Sequence, residues 1–122
     1  MANPVGWFEI YVEDMARAKG FYESVLKVTL ERLPVPDIEM WNFPMDMGAS
    51  GAAGSLVRMP GFPVGRNSVI VYFHSDDCAD AESRVVPAGG RIEKSKFSIG
   101  QFGFISLVYD TEGNMIGLHS MK

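Results

Sequence analysis

Three side chains in this sequence combine acid, base or metal-donor chemistry with a suggestive placement: Glu9, His74 and His119. Glu9 stands between Trp7 and Tyr11 in the alternating run Val-Gly-Trp-Phe-Glu-Ile-Tyr-Val-Glu of residues 5–13. Period-two alternation puts Trp7, Glu9 and Tyr11 on one face of a strand and Phe8, Ile10 and Val12 on the other. Partial removal from water would make such a carboxylate a usable general base. The competing structural role is a pair with Arg58 or a hydrogen bond to a neighbouring strand. His74 closes a strand beside the acidic Ser75-Asp76-Asp77. It suits an acid or base, or a rim residue, and His119 has the same two readings. No nucleophile–base–orienter set accompanies them. Arg58 either takes an anionic group of a ligand or balances Glu9. Trp7, Tyr11, Trp41, Tyr72 and Phe104 either wall a cleft for a flat, partly apolar molecule or fill the interior. Cys78 falls in a first helical turn, which favours a thiolate, yet its inward phase beside Ala81 and Val85 suits a small core residue. Met40, Met45, Met47 and Met59 read as core filler and loop residues that can also soften a cleft lining. Gly48-x-x-Gly51-x-x-Gly54 lacks the Lys and the helix of a phosphate loop and reads as a flexible connection.

The elements that must position these residues follow from periodicity and breakers. Asp14 suits an N-cap, and Met15, Ala18, Phe21, Tyr22, Val25 and Leu26 recur at helical spacing to about Lys27. Strands are expected over Val28–Leu33, Ile38–Phe43 and Ser55–Met59, and the Pro- and Gly-bearing stretch 62–67 is a linker. Beyond it, Ser68–His74 reads as a strand, Asp77–Val86 as a helix ended by Pro87-Ala88-Gly89-Gly90, and Arg91–Lys96, Phe102–Tyr109 and Met115–Met121 as strands. Gly113-Asn114 signals a two-residue hairpin. The second half repeats the first: overlaying Asp14 on Asp77 brings Ile10 onto Phe73, Ala16 onto Ala79, Ala18 onto Ala81 and Thr29 onto Ile92. The expected fold is α+β, with two βαβββ modules in one domain: module one 1–61, linker 62–67, module two 68–122.

Length and composition narrow the function. A chain of 122 residues with 47% hydrophobic residues is one globular domain. A net charge of −4 gives no basic footprint, so nucleic acid is not an expected partner. No apolar run reaches membrane-spanning length and no signal peptide is visible. The single cysteine, Cys78, rules out an internal disulfide, and the expected location is cytoplasmic.

Three residue sets then resemble a known family. They are Trp7-Phe8-Glu9-Ile10-Tyr11-Val12-Glu13-Asp14 with Ala18 and Phe21-Tyr22; Val71-Tyr72-Phe73-His74-Ser75-Asp76-Asp77 with Ala88-Gly89-Gly90-Arg91-Ile92; and Ile99-Gly100-Gln101-Phe102-Gly103 with Asp110-Thr111-Glu112-Gly113-Asn114-Met115-Ile116-Gly117-Leu118. Together they resemble the vicinal oxygen chelate superfamily of glyoxalase I, bleomycin resistance proteins and extradiol dioxygenases, in particular its small glyoxalase-like members. The resemblance implies paired modules whose curled mixed sheets surround a cleft. In metal-dependent members the cleft holds a divalent ion, bound mostly by His and Glu, that stabilises an enolate or bound oxygen. It also implies a homodimer, through modules paired between chains or docked sheet edges.

The same resemblance supplies a test for the metal. The family's first ligand lies seven residues before the helix-capping Asp, which here is Trp7, and its counterpart in the second module is Ile70. The last-strand ligand falls three residues after Asn114, on Gly117; overlaying Gly113-Asn114 on Gly54-Ser55 puts the remaining one on Arg58. None is an ordinary donor, and an arginine repels a cation. No metal or other cofactor is therefore expected; the alternative is a displaced divalent site built from Glu9, His74 and His119, which parity puts on the cleft side with residues 70, 72, 115 and 117. Two functions remain open. One is a non-metal protein binding a small aromatic or amphipathic molecule, with Trp7, Tyr11, Trp41, Arg58, Tyr72, Phe104 and His119 as contacts. The other is an enzyme: a lyase or isomerase using Glu9, with His74, in acid–base chemistry, or a metal-dependent lyase or dioxygenase with displaced ligands.

Overall fold

The computed structural model describes residues 3, 5–46 and 48–122; Met47 lies outside them. The strands and helices run β1 (Trp7–Tyr11), α1 (Met15–Leu26), β2 (Glu31–Leu33), β3 (Glu39–Asn42), β4 (Ala53–Arg58), β5 (Tyr72–His74), α2 (Cys78–Ser83), β6 (Arg91–Ser98), β7 (Phe104–Tyr109) and β8 (Met115–Ser120). A 3-10 turn at Gly100–Phe102 precedes β7. Two four-stranded mixed sheets form, ordered β1-β4-β3-β2 and β5-β8-β7-β6, and neither closes into a barrel. The first strand of each module pairs parallel with its fourth: β1 with β4, β5 with β8. The α+β class and the repeated topology are as the sequence predicts.

Local chemistry explains each boundary. The Asp14 carboxylate accepts the Arg17 N–H at 3.0 Å and starts α1; Lys27, in the left-handed region at φ 54°, ends it by donating its N–H to the Glu23 carbonyl. α2 stops at Ser83, earlier than the expected Val86, because Arg84 and Val85 donate to carbonyls three residues back and the chain tightens towards Pro87. β5 is far shorter than the expected 68–74: it is an edge strand laddered only to β8 from Tyr72 on, and ahead of it the Met115 carbonyl and N–H of β8 are bonded by the Asn67 side chain instead. The hairpin between β7 and β8 is also longer than expected. Its last paired residues are Tyr109 and Met115, and the Asp110 carboxylate accepts the Glu112 and Asn114 N–H groups inside a five-residue loop.

Both helices bury their apolar stripes on one side of the sheets in a single core from Ile10 and Val12 through Phe21, Tyr22 and Leu56 to Ile116 and Leu118. Rings stitch the modules together: Phe73 of module two lies 5.9 Å from Phe8, 5.8 Å from Tyr22 and 5.3 Å from Phe43 between centroids. The even-numbered residues of β1 therefore face the helices. The odd ones face away, and that second face carries the candidate site.

Candidate functional site

On the first sheet, the outer face of β1 presents Trp7, Glu9 and Tyr11 as the alternation predicts. The strand pairs Trp7 with Ala53, Glu9 with Ser55 and Tyr11 with Val57, and β3 continues two of these rows with Asn42 and Met40. Glu9 is clasped by its own strand. The Tyr11 hydroxyl donates to Oε1 at 2.7 Å, and the Trp7 indole N–H reaches Oε2 at 3.4 Å. That hydrogen bond, with lesser contributions from burial and the Glu9 charge, holds the Tyr11 phenol up at about 12. Tyr11 is further fixed by Phe62 from the linker, stacked at 3.9 Å. Glu9 itself is exposed, so the single chain does not supply the desolvation that the general-base reading requires. Beside it, Ser55 and Asn42 are buried, and Ser55 Oγ and Asn42 Oδ1 have no hydrogen-bond partner among the described residues. No sequence signal marks these two: small polar residues in a strand look like any solvent-facing position.

On the second sheet the outer face carries three rows. Met115, Tyr109 and Arg91 form the first; Tyr72, Gly117, Leu107 and Lys94 the second; His74, His119, Ile105 and Phe97 the third. The third row opens into a depression of about 480 Å³ lined by Tyr72, His74, Ile99, Ile105 and His119. The two imidazoles lie 5.6 Å apart between centroids, edge to face. His119 Nε2 is 2.7 Å from the Phe102 carbonyl. A carbonyl only accepts, so Nε2 carries a proton in this contact.

The structure re-registers the metal test. Tyr72 lies opposite Gly117 and Glu9 opposite Ser55, so the module-one counterpart of Gly117 is Ser55, not Arg58. A Cβ at Gly117 would run into Tyr72 Cδ1: the tyrosine ring lies across the spot from which a last-strand ligand would project. With Trp7, Ile70, Ser55 and Gly117 in the four positions, the residues present do not fit the family's ion. The displaced alternative is not assembled either. Glu9 lines a cleft of about 470 Å³ with Tyr11, Asn67 and Met115, separate from the histidine depression. No group of three or more acidic, histidine or cysteine donors gathers among the described residues.

Three expected cleft residues lie on the wrong side. Trp41 pairs with core residue Leu56, carries Lys19 of α1 over its ring at 3.4 Å, and donates its indole N–H to Glu39. Arg58 shares that helix-side parity and donates Nε to the Glu13 carbonyl, so it neither meets Glu9 nor faces the cleft. Phe104 packs on the core and lies under Lys96, which also bonds Asp77 at the start of α2. Cys78 is a buried free thiol in the core.

The motif Asp110-Thr111-Glu112-Gly113-Asn114 turns out to join the modules. Buried Tyr22 donates its hydroxyl to Asp110 Oδ2 at 2.6 Å. Asn114 donates to Asp110 and to the Tyr11 carbonyl, and accepts the Gly65 N–H. Glu112 accepts the Glu13 and Asp14 N–H groups and a two-nitrogen fork from Arg17. None of these five residues lines the histidine depression.

Comparison with known proteins agrees with this architecture. Residues 5–118 match the family model described as the Glyoxalase/Bleomycin resistance protein/Dioxygenase superfamily. The Mycobacterium tuberculosis protein named "Putative glyoxylase CFP32" is 28% identical over 113 residues, which is 92% of this chain and 43% of that protein. The chain thus spans about half the length of the curated relatives it matches. Maize glyoxalase I superposes with a TM-score of 0.75 at 19% identity, over 96% of this chain and 46% of that one. TnmS3, an antibiotic binding protein from Streptomyces sp. CB03234, superposes with a TM-score of 0.69 at 25% identity, over 98% and 97% of the two chains. Among the described residues, no helix is long and apolar enough to cross a membrane.

Proposed function

Since this chain belongs to the Glyoxalase/Bleomycin resistance protein/Dioxygenase superfamily, we propose that it binds a small aromatic or amphipathic molecule on the outer sheet faces without the family's ion. The observation that carries this is Tyr72 lying over Gly117, where a donor side chain has neither an atom nor room. The depression beside it supplies an apolar floor and two imidazoles, the mix of walls and few polar groups that small-molecule sites use. The full-length likeness to an antibiotic binding protein supports a binding role over a glyoxalase one. A second copy of the chain is the proposed cover. Trp7 and Tyr72 are 39% and 49% exposed on these faces. The buried free thiol fits a reducing, cytoplasmic setting.

Metal analysis of purified protein tests the reading. The expected result is no stoichiometric transition metal, with chelator leaving thermal stability and dye binding unchanged. One tightly held ion per chain would overturn it. The second reading, acid–base catalysis by Glu9, is favoured by the Tyr11 clasp, which aims both carboxylate oxygens. Under that reading, covering the face removes Glu9 from water, and Glu9→Gln abolishes turnover with the fold intact.

A further inference from the structure

The second sheet's outer face has an end that the proposed function does not use. Arg66, Asn67, Ser68, Ile70, Arg91 and Tyr109 line a cavity of about 350 Å³ there, together with Gly113 and Met115. No carboxylate belongs to this lining. The Arg91 guanidinium rests on the Tyr109 ring, 4.2 Å from its centroid. Neither Arg66 nor Arg91 makes an ion pair or a side-chain hydrogen bond among the described residues, whereas Arg17, Arg58 and Arg84 are all engaged. Lys94 extends the positive edge in the next row, its ammonium 3.9 Å from the Phe97 ring centre. In a chain of net charge −4, two free guanidinium groups in one concavity are a local reversal of sign.

This end is continuous with the proposed ligand face. Arg91, Tyr109 and Met115 form one row, and Lys94, Leu107, Gly117 and Tyr72 the next. Same-face rows lie two residues apart, about 7 Å. The Tyr72 ring lies across Gly117, so an apolar body stacked on Tyr72 and Leu107 reaches the arginines in one row. A planar guanidinium presents paired N–H donors matched to the oxygens of a carboxylate, sulfonate or phosphate. We propose that Arg66 and Arg91 form an oxyanion subsite, and that the molecule held on this face is an organic anion: a flat apolar body bearing one such group. This rests on the small-molecule reading above and names its ligand class.

A matched pair of fluorescent probes separates the two claims. 8-Anilinonaphthalene-1-sulfonate and N-phenyl-1-naphthylamine share one ring system and differ by the sulfonate. The wild-type protein should bind the sulfonate probe at least about tenfold more tightly, as expected for charge-assisted hydrogen bonds. Pyrophosphate should displace the sulfonate probe and leave the neutral one bound. In Arg66→Gln/Arg91→Gln the preference should collapse while affinity for the neutral probe stays the same. Both arginines are exposed and unbonded, so the melting temperature should be unchanged. If both probes bind equally, or the double variant keeps the preference, or it loses both probes alike, the oxyanion subsite is overturned and the apolar face survives. If the wild-type protein binds neither probe, the small-molecule reading falls and the subsite with it.

Discussion

Glu112→Gln should destabilise the protein in a pH-dependent way, because one carboxylate of module two holds the start of a module-one helix. Glu112 Oε1 accepts the Glu13 N–H at 2.9 Å, the Asp14 N–H at 3.0 Å and Arg17 Nη2 at 2.9 Å; Oε2 accepts Arg17 Nε at 2.7 Å and the Thr111 hydroxyl at 2.8 Å. The side chain is fully buried against a half-exposed arginine. Burial alone would raise its pKa, but the Arg17 fork, the two backbone donors and Thr111 overcome it and bring the group from 4.5 down to about 2. A shift of that size caps the contribution at about 3 kcal/mol, and solvent screening of the exposed Arg17 reduces it to about 1.5–2 kcal/mol. The carboxyl binds its proton more weakly in the folded state. The stabilisation is therefore full above the unfolded value near 4.5 and disappears as pH falls towards 2, with more than half gone by about pH 3. Urea denaturation followed by circular dichroism should show the amide variant about 1.5–2 kcal/mol less stable at pH 7, a loss of about 5–10 °C in Tm. The gap should narrow to under about half by pH 3. Adding Arg17→Met to Glu112→Gln should cost little more, since the two residues share one interaction. A gap that is the same at pH 7 and pH 3, or absent at pH 7, would refute the clamp.

Two further substitutions probe the lock and the face. Gly117→Ala forces its new methyl into the Tyr72 ring and should cost about 1–2 kcal/mol; Tyr72→Ala in the same chain should recover most of it, measured by denaturant titration. Tyr22→Phe removes the buried 2.6 Å bond to Asp110 and should cost about 1–3 kcal/mol by the same assay. Burial, then the Asp110 charge and hydrogen bond, push the Tyr22 phenol well above its ordinary 10. Its contribution is thus present below pH 10 and lost as pH rises further, so the wild-type protein should show a steeper alkaline loss of stability than the phenylalanine variant.

Alternation told which residues share a face, and for β1 it told which face, because Phe8, Ile10 and Val12 are plainly apolar. It fails for Trp41 and Phe104 because their strands offer large side chains on both sides. Trp41 lies beneath Lys19 on the helix side, and an aromatic under a lysine stem reads in sequence like an aromatic in a cleft. The Arg58 placement came from counting out from a turn. Ladder register depends on how many residues each connection holds, and the two modules differ there by one: Glu9 meets Ser55 across 46 positions and Tyr72 meets Gly117 across 45. The orphaned oxygens of Ser55 and Asn42 and the free arginines have no local signature, since each is defined by what the fold leaves beside it.

The parts that were legible and the parts that do chemistry are therefore physically different. Asp110 and Asn114 are 4% and 7% exposed, and their network reaches Tyr22 and Tyr11 of module one and Gly65 of the linker. Removing one member strands the others in a low-dielectric interior, so substitutions there are expensive. The outer face has no such coupling. Tyr72 lies over Gly117, Trp7 stands at the surface, and either can change without leaving a buried group unpaired. Substitution on the outer face therefore costs the fold less than substitution in the lock. The motif then identifies the family, and the metal chemistry of that family has to be argued separately at Trp7, Ser55, Ile70 and Gly117, where this chain supplies no ligand set for it.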